Sequence, residues 1–254
     1  MTMRADEVMT AQVVTVAPEA PVAEAVKLML DRRVSGLPVV DADGRLVGVI
    51  TIDDAMNVLD EEHEQDMLRL AGVGDDSSLS DGAFATARQR LPWLVVNLFT
   101  ASISAFVISR FESTIASLVT LAALMPIVAS TGGIAGTQSL AVAVRALATR
   151  SLTSANAKRV VLRELVGGLL NGVGLAVILG LGGFLIFGDW KLGLVLGMAM
   201  ITNQLVAALG GVLVPLGLHR LKLDPALASG TFVTTLTDVL GYLAFLGLAS
   251  LVLL

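Results

Sequence analysis

From residue 91 onward the chain is a succession of long apolar runs, and this feature constrains its fold more than any other. Runs near 91–109, 114–130, 160–187, 192–218 and 226–254 hold few charges. Each is long enough to cross a hydrocarbon core about 30 Å thick. With no water to bond the backbone there, such runs must be helices. The pattern therefore predicts an all-α membrane domain of five transmembrane helices over 91–254. The second run is interrupted by Pro126 and Gly132-Gly133, and reads as a glycine-rich polar break followed by more helix to about Leu147.

Residues 1–90 differ. They hold most of the acidic residues of a chain with net charge −5, which argues against nucleic acid as a partner. Val13–Val16 reads as a short strand, and Pro18 and Pro21 open a helix with Val22, Ala25, Val26, Met29 and Leu30 on one face. Leu37–Val40 and Leu46–Thr51 read as strands joined by an Asp43-Gly44 turn. A second helix starts near Ile52, with Thr51 as its N-cap and Asp53 and Asp54 in its first turn. The result is a small α+β domain over 1–60, so small that a second copy is expected to cover its apolar surface. An acidic connector over 61–90 follows, with a loop at 72–82. There is no cysteine, so disulfides and thiolate metal sites are excluded. Met1–Glu7 lacks an apolar signal-peptide core, so any translocation is expected to be driven by the internal apolar segments.

Basic residues set the expected orientation. Arg145, Arg150, Lys158, Arg159 and Arg163 lie between spans two and three, and Arg220 and Lys222 between four and five. These share a side with Arg88 and Arg90, whereas the opposite loops carry only Arg110 and Lys191. The N-terminal domain is thus expected to be cytoplasmic, the C-terminus opposite, and the location a cell (inner or plasma) membrane.

Asp238 lies within the last apolar run. A carboxylate at membrane depth is costly and usually faces a bundle interior or a water-filled path. It would suit a hydrated divalent cation, with Thr234 and Thr235 one turn before it. A carboxylate satisfied by neighbouring hydroxyls, or kept protonated, is the structural alternative. The segment with Gly132, Gly133, Thr137 and Gln138 could line the same path with its backbone carbonyls and the Thr137 or Gln138 side chain, or serve as a flexible kink or close helix contact. Thr51 and Asp54, three apart at a helix start, could hold a nucleotide's phosphate and ribose or merely cap the helix. Asp54, Glu61, Glu62 and Asp66 would repel one another unless cations screened them, which suggests a cation sensor; a solvated helix face is the plainer reading. His63 and His219 stand alone, and Glu112, Glu164, Asn171, Asn203 and Gln204 are polar residues near or within spans. For Glu164, pairing with Arg163 at the interface is expected. With no nucleophile–base pair and no Cys/His cluster, an enzyme is not expected.

Two sets of residues resemble known families. Asp6-Glu7-Val8-Met9-Thr10, Leu37-Pro38-Val39-Val40-Asp41 and Gly44–Thr51 resemble a CBS domain. The acidic connector and the whole membrane half resemble the MgtE family of Mg2+ channels. The carrying pieces are Leu91-Pro92-Trp93-Leu94, Met125-Pro126, Gly132-Gly133 with Gly136 and Gln138, Arg163-Glu164, Asp224-Pro225-Ala226, and Phe232–Thr235 with Asp238. The resemblance implies a homodimeric channel in which spans two and five line a pore near the dimer axis and Asp238 is the ion ligand. It implies closure by cytosolic Mg2+ at the CBS domain and connector, and binding of ATP or another adenine nucleotide at the CBS domain. The family typically has an extra N-terminal helical domain and two CBS domains per chain, whereas one CBS domain is expected over these residues. This chain also has Ile134 where an asparagine usually follows the paired glycines, and neutral Asn57 and Gln65 on the sensor helix. Two other readings stand beside the channel: a membrane-anchored nucleotide sensor that transports nothing, and a H+- or Na+-coupled divalent cation transporter.

Overall fold

A computed structural model describes residues 4, 13–73, 80–149, 151–153 and 155–254, without the side chains of 62, 63, 66, 70 and 226–229. The chain forms two compact units, 1–67 and 68–254.

In the first unit, α1 (Val22–Arg32) begins after Pro21, whose fixed φ suits a helix entry. It buries Ala25 and Met29, four apart on one face. β1 (Gly36–Val40) and β2 (Leu46–Thr51) pair antiparallel, with a register shift between Val39 and Val40. Gly44 turns the hairpin with φ +79°, a conformation in which a Cβ would be strained. The Asp41 carboxylate accepts from the backbone N–H groups of Asp43 and Arg45, which fixes the turn from inside. Val16, Ala25, Met29 and Leu37 form the small core. The strand expected over 13–16 is reduced to one parallel bridge, Val16 to Val39. Its neighbours 13–15 make no ladder.

From β2 the chain enters α2 (Ile52–Leu70) directly, so one continuous helix carries it from the small domain into the acidic connector. The second unit holds α3 (Ala83–Ser109), α4 (Glu112–Ser117), α5 (Thr120–Ala148), α6 (Ala157–Phe187), α7 (Trp190–Arg220) and α8 (Pro225–Val252). Five of these, all but α4, are long and apolar enough to cross a membrane, the last over Gly230–Val252.

The second span differs from its expected outline. Leu118, at φ −139° and ψ 83°, separates α4 from α5, so the spanning helix starts at Thr120 rather than 114. The break expected at Gly132-Gly133 is absent: α5 runs unbroken through Pro126 and both glycines. In lipid an interrupted ladder costs more than in water, so the helix closes over residues that would break it elsewhere.

α7 is the central helix and packs against α5, α6 and α8. Its buried face includes Leu192, Val195, Leu196, Ala199 and Met200, which meet Leu121, Leu124 and Val128 of α5 and Phe245, Leu246 and Ala249 of α8. On its other side α7 meets α6 closely: a Cβ added at Gly193 would fall 2.4 Å from the Gly180 carbonyl oxygen. Small residues at this crossing let the backbones touch.

Candidate ion pathway

Asp238 lies on α8, half-buried, one turn after Thr234 and Thr235. No hydrogen bond or ion pair reaches its carboxylate from the described residues. Of the structural alternatives, satisfaction by the neighbouring threonine hydroxyls is not the arrangement seen among the described residues. Each threonine hydroxyl turns back to its own helix: Thr234 donates to the carbonyls of Gly230 and Thr231, both at 3.1 Å, Thr235 to Thr231 at 2.7 Å and Thr237 to Thr234 at 2.9 Å. Serine and threonine commonly bond this way within helices. Their protons are committed, but the oxygens keep lone pairs for a water or a cation.

α5 supplies the facing surface. A Cβ at Gly133 would lie 3.9 Å from Thr234 Cγ2, so Gly133 meets α8 one turn before Asp238. Gly132 is buried and faces Asn203 of α7. The carbonyls here belong to an intact helix and its ladder, so a filter of bare backbone carbonyls is not what this segment offers. Thr137 donates to Ile134 O at 2.8 Å. Gln138 does not join Asp238 within one chain. With Thr131, Ile134, Asn171 and Gln204 it lines a separate recess of about 380 Å3 between α5, α6 and α7. Ile134, in the position noted for its missing amide, is 57% exposed there.

Three further polar contacts involve residues of these helices and their connections. Arg163 and Glu164 pair at 3.3 Å, as their adjacency suggested, and Glu164 also accepts from Ser139 of α5 at 3.2 Å. Arg69, in the last turn of α2, pairs at 3.2 Å with Asp224, the residue before α8. The last contact was not visible in the sequence, because 155 residues separate the partners.

In the N-terminal unit Thr51 and Asp54 form a capping box. The Thr51 hydroxyl and backbone N–H both donate to Asp54 Oδ2, and Asp54 N–H donates to Thr51 Oγ1 at 3.3 Å. These bonds hold the Asp54 carboxyl below the usual carboxylate range. Both residues are exposed. Asp54 and Glu61 lie two turns apart on one side of α2; the side chains of Glu62 and Asp66 lie outside the described residues, as does the segment 6–10. Among the described residues no group of three or more His, Cys, Asp or Glu side chains could hold a metal ion.

Comparison with known proteins agrees with this division. Residues 125–248 match the MgtE divalent cation transporter family, and residues 5–61 match the CBS domain. The chain is similar to the magnesium transporter MgtE of Enterococcus faecalis, 40% identical over 219 residues, which are 85% of this chain and 47% of that protein. It is similar to that of Bacillus subtilis, 35% identical over 214 residues, 84% of this chain and 48% of that protein. Against that of Thermus thermophilus it is 38% identical over 252 residues, 98% of this chain and 56% of that protein. The chain thus spans about half the length of the curated relatives it matches.

Proposed function

The membrane region of this chain belongs to the MgtE family of divalent cation transporters and follows a CBS domain, and from that premise we propose that this multi-pass membrane protein is a Mg2+ channel. The relatives it matches are named as magnesium transporters, so transport rather than enzymatic turnover is its function. The observation that carries the reading is Asp238. It is a half-buried carboxylate in a membrane span, without a hydrogen-bond or ion-pair partner among the described residues, beside threonine oxygens with open lone pairs. Mg2+ sheds its water reluctantly and is commonly held through its hydration shell by one or two carboxylates. One Asp238 from each chain of a homodimer would give two negative charges around one hydrated ion.

Flux would be passive. A divalent ion gains about 4.6 kcal/mol per 100 mV, at roughly 2.3 per charge. The basic loops favour a cytoplasmic N-terminal domain in an inner or plasma membrane. There, Mg2+ at Asp54, Glu61, Glu62 and Asp66 would relieve repulsion along α2 and close the pathway. Thr51 and Asp54 would open their capping box to bind an adenine nucleotide. The Arg69–Asp224 pair supports coupling, since it ties the end of α2 to the helix that bears Asp238.

The test is Mg2+ uptake into proteoliposomes by wild type and Asp238→Asn, at low and at several millimolar Mg2+ on the CBS side. Uptake lost in the variant and suppressed by Mg2+ on that side is expected. Equal uptake by the two would remove Asp238 from the pathway; uptake driven only by a pH or Na+ gradient would make the protein a coupled transporter.

A further inference from the structure

One buried amide touches both helices of the proposed pathway. Asn203, near the middle of α7, is fully enclosed. Its Nδ2 donates to Val128 O of α5 at 2.7 Å. Its Oδ1 is buried and has no hydrogen-bond partner among the described residues. Glycines from two other helices flank the amide. A methyl on Gly132 of α5 would fall 2.1 Å from Nδ2, and one on Gly241 of α8 would fall 2.9 Å from it. Gly132 adjoins Gly133, which meets Thr234, and Gly241 lies three residues after Asp238.

Stability alone is a poor reason for an amide at this point. A buried acceptor left unpaired is costly, and an apolar side chain of the same shape would avoid that cost. What the amide supplies is a fixed width. It is bonded to one helix and wedged against the other, in contact with a glycine on each side. We propose that Asn203 is a positioning residue: its amide is the spacer that sets the separation of α5 and α8, and so the gap between Gly133 and the Thr234–Asp238 face. This rests on the reading of Asp238 as the ion ligand. Discrimination between Mg2+ and Ca2+ depends on cavity size and rigidity, so the spacer acts on selectivity.

The experiment is Mg2+ and Ca2+ uptake into proteoliposomes containing the full chain as wild type, Asn203→Ala, Asn203→Leu, Gly132→Ala or Gly132→Ala with Asn203→Ala, each with its melting temperature. Gly132→Ala should lower Mg2+ uptake about tenfold, and adding Asn203→Ala should restore it to within about threefold of Asn203→Ala alone, since contacting residues couple. Asn203→Ala and Asn203→Leu should both raise the ratio of Ca2+ to Mg2+ uptake about threefold or more, because the gap is no longer held to the size Mg2+ requires. That ratio does not depend on how much protein folds, and Asn203→Leu fills the space should Asn203→Ala fold poorly. An unchanged ratio in both variants, or a Gly132→Ala defect that Asn203→Ala does not relieve, overturns the spacer. Wild type with no more uptake than Asp238→Asn overturns the channel reading beneath it, and the spacer with it.

Discussion

Asp238 and the threonines before it differ in what their removal should do. The hydroxyls of Thr234 and Thr235 bond only their own helix among the described residues, so valine, of nearly the same shape, would leave the fold in place and remove only lone pairs. Thr234→Val and Thr235→Val should each lower Mg2+ uptake a few-fold, against near-complete loss in Asp238→Asn, when rates are compared at equal protein. Thr51 permits a test in the other domain. Its bonds hold the Asp54 carboxyl low. The stability they add is present above the ordinary carboxylate pKa of about 3.9 and is lost as pH falls through the folded value. The melting temperature of wild type should exceed that of Thr51→Ala by a constant margin from pH 7 to about 5, a margin that narrows as pH falls below about 4 to what the Asp54 N–H to Thr51 bond supplies. A margin undiminished in acid would mean that the hydroxyl caps the helix without the Asp54 carboxylate. Asp238 was legible in the sequence because a carboxylate stands out in an apolar run. Asn203 was visible only as one of several polar residues in spans; its two glycine neighbours come from helices far along the chain, and no local pattern joins them.

At the scale of helices, hydropathy placed all five spans, because lipid forces the segment length. It misplaced the start of α5 and suggested a break at Gly132-Gly133. A glycine pair inside an apolar run has two physical uses, a kink or a close contact, and only the facing helix distinguishes them. Here Gly132 faces the Asn203 amide, and the use is contact. The same contrast yields a prediction between two other glycines. A methyl at Gly193 would meet the Gly180 backbone oxygen at 2.4 Å, whereas one at Gly217 would meet nothing within 4 Å. Gly193→Ala should cost about 1–3 kcal/mol as overpacking at a backbone that cannot yield. Gly217→Ala, also in α7, should be neutral or stabilise by up to about 1 kcal/mol. Melting in one detergent gives both, and equal shifts would contradict the packing of α6 on α7. The Arg69–Asp224 pair, partly exposed, should contribute no more than about 1 kcal/mol. Arg69→Gln should therefore melt close to wild type while weakening inhibition by CBS-side Mg2+.

Across the whole molecule, the carboxylates of the membrane half decide how many chains make a pathway. A lone Asp238 holds one negative charge against a divalent ion, and among the described residues no group of three or more His, Cys, Asp or Glu side chains forms around it. A symmetric pair of chains brings the same residue to both sides of a two-fold axis. The number required can be counted by mixing. Wild type and Asp238→Asn, refolded or co-expressed in equal amounts and reconstituted, would form about a quarter of dimers with two carboxylates and half with one, if chains pair at random. A pathway that needs both carboxylates should then keep about a quarter of wild-type Mg2+ uptake, whereas a pathway within each chain should keep about half. Uptake near a quarter would place the ion between two chains. Uptake near half would mean that one Asp238 with the water and threonine oxygens beside it suffices, and the facing wall would be that chain's own α5.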